Sequence, residues 1–339
     1  MLKIHRQLAI PLGVLVSLLC LTGAVLVFQD EILHLMNSGW YHIEVTEGMK
    51  YLSDEQLLAK VQAQMPEGLT LMNIEVSDDP SAPATAMVPE LGHVDFLINP
   101  YTGEVWGKPK GTDFFVWVKQ LHRFLLNVPE NYQGGSPSVG RVIIGITAIC
   151  MSLILLTGIF LWWPRNKKML KNRLTVSTSK GFRRFVYDSH VSLGIYVVIF
   201  LLLMSLTGPA WSFRWYNDAA QTVLGQTEQR MEGGQHGGQM MGKPGGQKPD
   251  GMRPDGNQPK GGLMMNMGGK PEIRHKSVQE NQGAEPANFH FLLQSLHFGK
   301  WGGMFTRILY LLAALIGMLL PWSGYYMWWK RTRAIKTKK

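Results

Sequence analysis

HRQLAIPLGVLVSLLCLTG (residues 5–23) and HVSLGIYVVIFLLLMSLTG (residues 190–208) open on a histidine, run through apolar residues and close on Thr-Gly, the threonine 17 residues after the histidine in both. A second pair of endings matches as well: TGIFLWWPRNKK at 157–168 and SGYYMWWKRTR at 323–333. Each finishes an apolar run with a Trp pair and a burst of positive charge. Leu-His precedes the second apolar run of each half, at Leu121-His122 and Leu296-His297. The four correspondences occur in one order, so the chain reads as a duplicated two-span unit.

The spans follow from where charge is missing. Leu8–Phe28, Val142–Trp163, Val191–Phe213 and Ile308–Trp329 contain no charged residue. Each is as long as the ~20 helical residues that cross a bilayer. The first is longer than a signal-peptide core and lacks a small-x-small exit, so it reads as a retained helix. Residues 1–7, 164–190 and 330–339 hold 16 Lys/Arg and one acid, Asp188, against 18 Lys/Arg and 23 acids elsewhere. The positive-inside bias therefore predicts cytoplasmic N- and C-termini and two long outer segments. The net charge of +10 reads as topology and does not call for nucleic acid. Membrane lipid is the expected surrounding.

The predicted organisation is a first membrane helix in 1–34, a small α+β domain in 35–112, an outer helix and second membrane helix in 113–164, and a cytoplasmic loop in 165–189. A third membrane helix follows in 190–216, a low-complexity outer loop in 217–287, and an outer helix with the fourth membrane helix in 288–339. In the α+β domain, Ser53-Asp54-Glu55-Gln56 forms a capping box. LTLMNIEV and HVDFLINPYTGEVWG read as strands, with a turn at Asn99–Gly103. Residues 226–287 are rich in Gly, Gln, Pro, Met and Lys and read as a disordered loop. Its methionines suit Cu(I), which makes copper handling one reading of the chain.

Each half runs in, out, in, which relates the halves as parallel repeats about an axis along the membrane normal. That symmetry brings His5 to His190 near the inner surface and His122 to His297 near the outer one. Two histidines meeting across an axis, one pair above the other, is the arrangement that axially ligates two stacked haems. Neutral imidazole is a good iron ligand and is costly in hydrocarbon without a partner. Phe114, Trp117, Val118, Leu121 and Leu125 are expected on one helical face with His122; His290 is a rival to His297 on the same stripe. Thr-Gly or Ser-Gly steps at 22, 157, 207 and 323 are expected either to admit a flat macrocycle or to serve ordinary helix packing. Arg6, Arg183 and Arg184 inside, and Arg123, Arg141, Lys300 and Arg307 outside, are candidates for haem carboxylates. There is no C-x-x-C-H, so covalent c-type haem is not expected. No catalytic residue is nominated.

HRQLAIPLGVLVSLLCLTGAVLVFQDEI, LHRFLL, HVSLGIYVVIFLLLMSLTG, LHFG and the NPYTGEV turn together resemble the PepSY-associated transmembrane family, which includes iron-regulated inner-membrane proteins and ferric-siderophore reductases. The resemblance covers most of the chain outside 226–287. It implies a four-helix unit in the bacterial inner membrane with a periplasmic PepSY domain at 35–112. It implies haem b, two per chain, held at His5, His122, His190 and His297, and reduction of a periplasmic ferric siderophore or other ferric chelate. The Met/Gly/Gln-rich loop departs from the family pattern and bears on the substrate. No G-x-G-x-x-G follows a strand, so a quinol or a separate reductase must donate electrons. The non-enzymatic alternative is a membrane-anchored PepSY module that binds a protein partner.

Overall fold

The computed structural model describes residues 1–46, 48–66, 69, 71, 73–88, 94–128, 138–224, 272–276 and 289–336. Its helices are α1 (Leu2–Leu26), α2 (Gln29–Met36), α3 (Ser38–Tyr41), α4 (Asp54–Gln64), α5 (Thr112–Phe124), α6 (Val139–Trp162), α7 (Lys167–Leu174), α8 (Phe182–Thr207), α9 (Pro209–Ser212), α10 (Arg214–Val223), α11 (Phe289–Phe298) and α12 (Gly303–Lys336). Four spans among the described residues are long and apolar enough to cross a membrane: Leu2–Leu26, Val139–Trp162, Phe182–Ser212 and Lys300–Arg333. The outward flanks of these helices carry Val14, Leu21, Leu153, Phe160, Ile199, Leu206, Leu312 and Leu319 exposed. Such a continuous apolar girdle fits lipid rather than water.

The long helices close into a ring. α1 neighbours α6 and α12, and α8 neighbours the same two. Small residues set the approach. A Cβ added at Gly13 would lie 2.4 Å from the Tyr325 hydroxyl oxygen, and one at Gly317 would lie 2.9 Å from Leu201 Cδ2. Without those side chains the backbones come close, which is how membrane helices gain packing energy where hydrophobic burial supplies none. Val16, Cys20, Met151, Val197, Leu201 and Ala313 fill the middle of the ring. The hydroxyls within it are paired: Ser17 Oγ donates to the Met318 carbonyl at 2.8 Å, and Ser152 Oγ to Ser205 Oγ at 2.9 Å.

At one end lies a five-stranded sheet, ordered β4-β3-β2-β1-β5: β1 (Asn73–Ser77), β2 (Ala84–Val88), β3 (Val94–Ile98), β4 (Val105–Gly107) and β5 (Glu272–Lys276). β1 to β4 form an antiparallel meander. α4 buries Leu57 and Val61 against Ile74, Val76, Ala84, Ala86, Val88, Phe96 and Ile98. The predicted capping box forms on Ser53 and Gln56. The predicted turn forms too, with Asn99 Oδ1 accepting from the Tyr101 N–H at 2.9 Å and Gly103 at φ 75°.

β5 corrects the expectation of a wholly disordered loop over 226–287. Glu272–Lys276 pairs in parallel with β1, Ile74 opposite Ile273, and Ile273 packs on the sheet core. One aliphatic residue in the right register is enough to complete an edge. The rest of that segment, with its methionines and His236, lies outside the described residues, as does His93. The end of α2 is tied to the segment between β4 and α5: the Asn37 amide donates to the Leu33 and Lys110 carbonyls and accepts from the Lys110 N–H at 2.8 Å. Val116 of α5 also packs on the sheet core.

Candidate functional site: four histidines at two levels

The four histidines occupy one kind of local environment, repeated. His5 on α1 meets Thr157 on α6, Nδ1 to Oγ1 at 3.1 Å. His190 on α8 meets Ser323 on α12 at 2.7 Å. His122 on α5 meets Thr22 on α1 at 2.7 Å, and His297 on α11 meets Thr207 on α8 at 2.8 Å. In all four the histidine nitrogen is Nδ1 and the hydroxyl belongs to a Thr-Gly or Ser-Gly step.

The hydroxyls' own hydrogen bonds point to Nδ1 as the atom that carries the proton. A hydroxyl has one hydrogen to give. Thr22 gives its hydrogen to the Leu18 carbonyl (2.8 Å) and Thr207 to Leu203 (2.7 Å); Thr157 gives it to Leu153 (2.9 Å) and Ser323 to Leu320 (2.7 Å). Each oxygen therefore accepts from the imidazole. His5 Nδ1 also lies 3.0 Å from the Ile154 carbonyl, which can only accept. All four rings are thus Nδ1–H donors whose Nε2 lone pair remains for another partner, the form of a neutral imidazole ligand.

His122 and His297 are paired, with ring centres 6.4 Å apart and planes at 65°. Burial pulls His122 down to about 4, aided by Arg123, and His297 down to about 3, aided by His122, so both are neutral at pH 7. Trp211 lies 5.0 Å from the His297 ring and 6.4 Å from His290. His290 is exposed on α11, so the rival histidine is turned away from the pair. At the other end His5 and His190 line one cavity of about 1070 Å³, at the upper end of the ~300–1000 Å³ typical of small-molecule sites. His5 and Thr22 are 17 residues apart on one helix, hence about 26 Å along its axis, most of the ~30 Å hydrocarbon thickness.

The arginines divide. Arg6, Arg183 and Arg184 line the His5/His190 cavity; Arg184 Nε also donates to the buried Asp188 carboxylate at 2.8 Å. Arg307 serves Glu31 (2.6 Å from Nη2 to Oε2) and the Val27 carbonyl, so the structure gives it another partner than the histidine pair. Lys300 pairs with Asp30, and Arg141 donates to the Trp211 carbonyl. Arg123 stacks over the Phe124 ring, 5.3 Å from its centre. Sequence reasoning missed Arg173, Lys180 and Trp162, all lining the cavity. The indole nitrogen of Trp162 is buried without a hydrogen-bond partner among the described residues.

One expectation changes, and the Gly steps find their neighbours. The stripe predicted on α5 is rotated: Phe115, Val118 and Phe124 are buried, whereas Phe114 and Trp117 are about half exposed. Two aromatic residues turned outward suit a helix lying at a membrane interface, which periodicity alone does not report. The Gly steps face imidazoles: a Cβ at Gly23, Gly158, Gly208 or Gly324 would lie 3.4, 3.6, 3.6 or 3.9 Å from Cε1 of His122, His5, His297 or His190. Those are ordinary contacts, so the specific feature of each step is its hydroxyl.

Four apolar spans, a small sheet, a histidine pair at one end and two cavity-lining histidines at the other define a multi-pass membrane protein with a small α+β unit. The family model described as "PepSY-associated TM region" matches residues 2–331, and the chain belongs to that family. A comparison with curated proteins finds no significant match.

Proposed function

We propose that the chain is a transmembrane electron carrier of the bacterial inner membrane, built as two parallel repeats, with one haem b held by His5 and His190 and a second by His122 and His297. The observation that carries this reading is the His122–His297 pair. Two imidazoles bonded to one metal at about 2.0 Å each have ring centres roughly 6–6.5 Å apart, and these rings are 6.4 Å apart. The donor set supports haem over a bare ion. Among the described residues no three His, Cys, Asp or Glu gather as a metal set. A porphyrin would bring four nitrogens of its own and would need only two further donors, which the histidines would supply. The cavity at the other end is large and mainly apolar, with cations in its lining available to carboxylates.

The haem, when bound, supplies one-electron chemistry. The chain's residues supply the rest. The histidines present neutral Nε2 at both membrane faces, and Arg6, Arg183 and Arg184 balance negative charge at one end. The packed middle holds the two levels at fixed separation. Orientation follows the basic bias: termini and the His5/His190 cavity in the cytoplasm, the PepSY-like sheet in the periplasm. The electron acceptor is a ferric siderophore or other ferric chelate, because Fe(II) leaves hard-oxygen chelators more readily. The donor is a quinol or a separate reductase.

The test is a reduced-minus-oxidised spectrum with haem stoichiometry on protein purified from haem-replete cells. Two b-type haems are expected. H5A or H190A is expected to lose one, and H122A or H297A the other. Re-oxidation of the reduced protein by an added ferric siderophore tests the substrate. A colourless wild-type protein refutes the haem reading and favours a partner-binding module.

A further inference from the structure

We propose that the hydroxyls of Thr22, Thr157, Thr207 and Ser323 are positioning residues, each fixing the tautomer and donor strength of one histidine, in the order His122, His5, His297 and His190. The proposal rests on the haem reading above and goes beyond it by assigning these side chains a role in the redox poise of each end.

Three observations carry it. First, the contact is repeated four times with the same nitrogen and the same kind of oxygen, at 2.7 to 3.1 Å. Second, each hydroxyl gives its hydrogen to a carbonyl of its own helix, so it is locked as an acceptor. A free serine or threonine in a membrane helix satisfies itself through such a back-bond and needs nothing more. The imidazole contact is an addition that helix packing does not require. Third, position 323 shows that serine suffices where threonine stands elsewhere, so the methyl group is dispensable and the oxygen is what the sites share.

The physical effect has a direction. A hydrogen bond from Nδ1–H increases the electron-donating power of Nε2, which favours the ferric over the ferrous state. Removing the hydroxyl makes the ligand weaker and the bound haem easier to reduce, least at His5, whose Nδ1 keeps the Ile154 carbonyl at 3.0 Å. The assignment is crosswise along the chain. Thr22 shares a helix with His5 but serves His122, and Thr207 shares a helix with His190 but serves His297. A substitution at residue 22 or 207 is therefore read out at the sheet end, and one at 157 or 323 at the opposite end.

The experiment is a potentiometric titration, followed optically, of full-length wild-type, T22V, T207V, T157V, S323A and T22S, with haem per chain measured for each. Val keeps the volume of Thr and removes the acceptor. T22V and T207V are expected to raise the midpoint of one haem, or to weaken its binding by about 10–100-fold, and to leave the other haem unchanged. S323A is expected to do the same to the other haem, T157V to do so more weakly because the Ile154 carbonyl still accepts from His5, and T22S to behave as wild type. The low-spin ferric EPR signal, which reports ring orientation, is expected to change for the affected haem only. Wild-type protein with two haems and Val variants matching it in potential, occupancy and EPR would overturn the positioning role and leave the haem reading standing. Wild-type protein without haem would overturn the underlying reading itself. Should one variant fail to accumulate, the three others test the same claim at equivalent positions. A T22S haem altered as much as the T22V haem would show that bulk, rather than the acceptor, matters.

Discussion

Gly140→Ala tests the join between the helix that carries His122 and the membrane helix that follows it. Gly140 sits in the first turn of α6, and a Cβ there would lie 1.7 Å from the Phe124 carbonyl oxygen and 2.6 Å from its carbon. The obstacle is backbone, which no rotamer change relieves. Real Cβ atoms stay beyond about 3.0 Å, so α5 and α6 must part by about 1.3 Å. Leu125 and Leu126, directly after α5, already hold positive φ values of 50° and 63°. Overpacking of this kind costs about 1–3 kcal/mol. His122 lies two residues before Phe124, and a shift of that size carries its 2.7 Å bond to Thr22 beyond hydrogen-bond range, adding about 1 kcal/mol. The total of about 2–4 kcal/mol predicts a clear fall in the unfolding midpoint of the detergent-solubilised chain, measured by circular dichroism. Gly39→Ala is the control, since a Cβ there meets nothing within 4 Å and a change under about 0.5 kcal/mol is expected. A Gly140→Ala protein as stable as the control would refute the contact between α5 and α6.

Three further outcomes follow from other contacts. Ile273→Asp places a charge against the sheet core at the β5 edge and is expected to destabilise the α+β unit by about 1–3 kcal/mol, seen as faster limited proteolysis of the full-length chain between 277 and 288; unchanged cleavage would remove β5 from the sheet. Arg307→Met strands Glu31 beside a nearly buried site, Arg307 being 11% exposed and Glu31 37%, and is expected to cost about 1–3 kcal/mol, less than a fully buried pair; Glu31→Gln in the same background should recover part of it in a thermal melt. The Asp79 carboxylate accepts from the Ser81 N–H and then the Ser81 hydroxyl, which hold its pKa below the ordinary 3.8. Its contribution is complete above about pH 4 and is lost as pH falls through the lowered value, so Asp79→Asn should flatten the acid limb of the stability profile; an unchanged limb would contradict the contact.

The spans were legible because bilayer thickness fixes a length that charge-free runs either reach or do not. The four histidines were legible because duplication marks them twice. What the sequence hid depends on partners distant along the chain. Thr22 is 100 residues from His122, and Thr157 is 152 from His5. No local pattern announces which hydroxyl meets which ring, so the Gly beside each hydroxyl drew notice before the oxygen did. β2, ATAMV, has too few large residues to stand out, and β5 is five residues inside a low-complexity stretch. The rotation of α5 escaped notice because aromatic residues suit both a core and a membrane interface. The partner of Arg307, a candidate for haem carboxylates by sequence, is hidden because Glu31 lies 276 residues away.

The long helices explain why the two ends need not be built separately. α1 carries a histidine at one end and an acceptor hydroxyl at the other, and α8 repeats this with the same 17-residue interval. A helix is stiff in rise and rotation, so that interval fixes both the ~26 Å separation and the angular register of the two levels. α6 and α12 need only supply the hydroxyls facing His5 and His190, while α5 and α11 bring the remaining two rings. Between the levels the ring is filled by Val16, Cys20, Met151, Val197, Leu201 and Ala313, and the hydroxyls of Ser17 and Ser152 are already paired. An apolar layer of this kind, part of which also floors the His5/His190 cavity, presents a high barrier to an ion, which would leave its hydration shell without replacement ligands. It presents a much lower one to an electron, which needs no solvation path. Such packing therefore supports the proposed electron carrier over ion transport through the bundle.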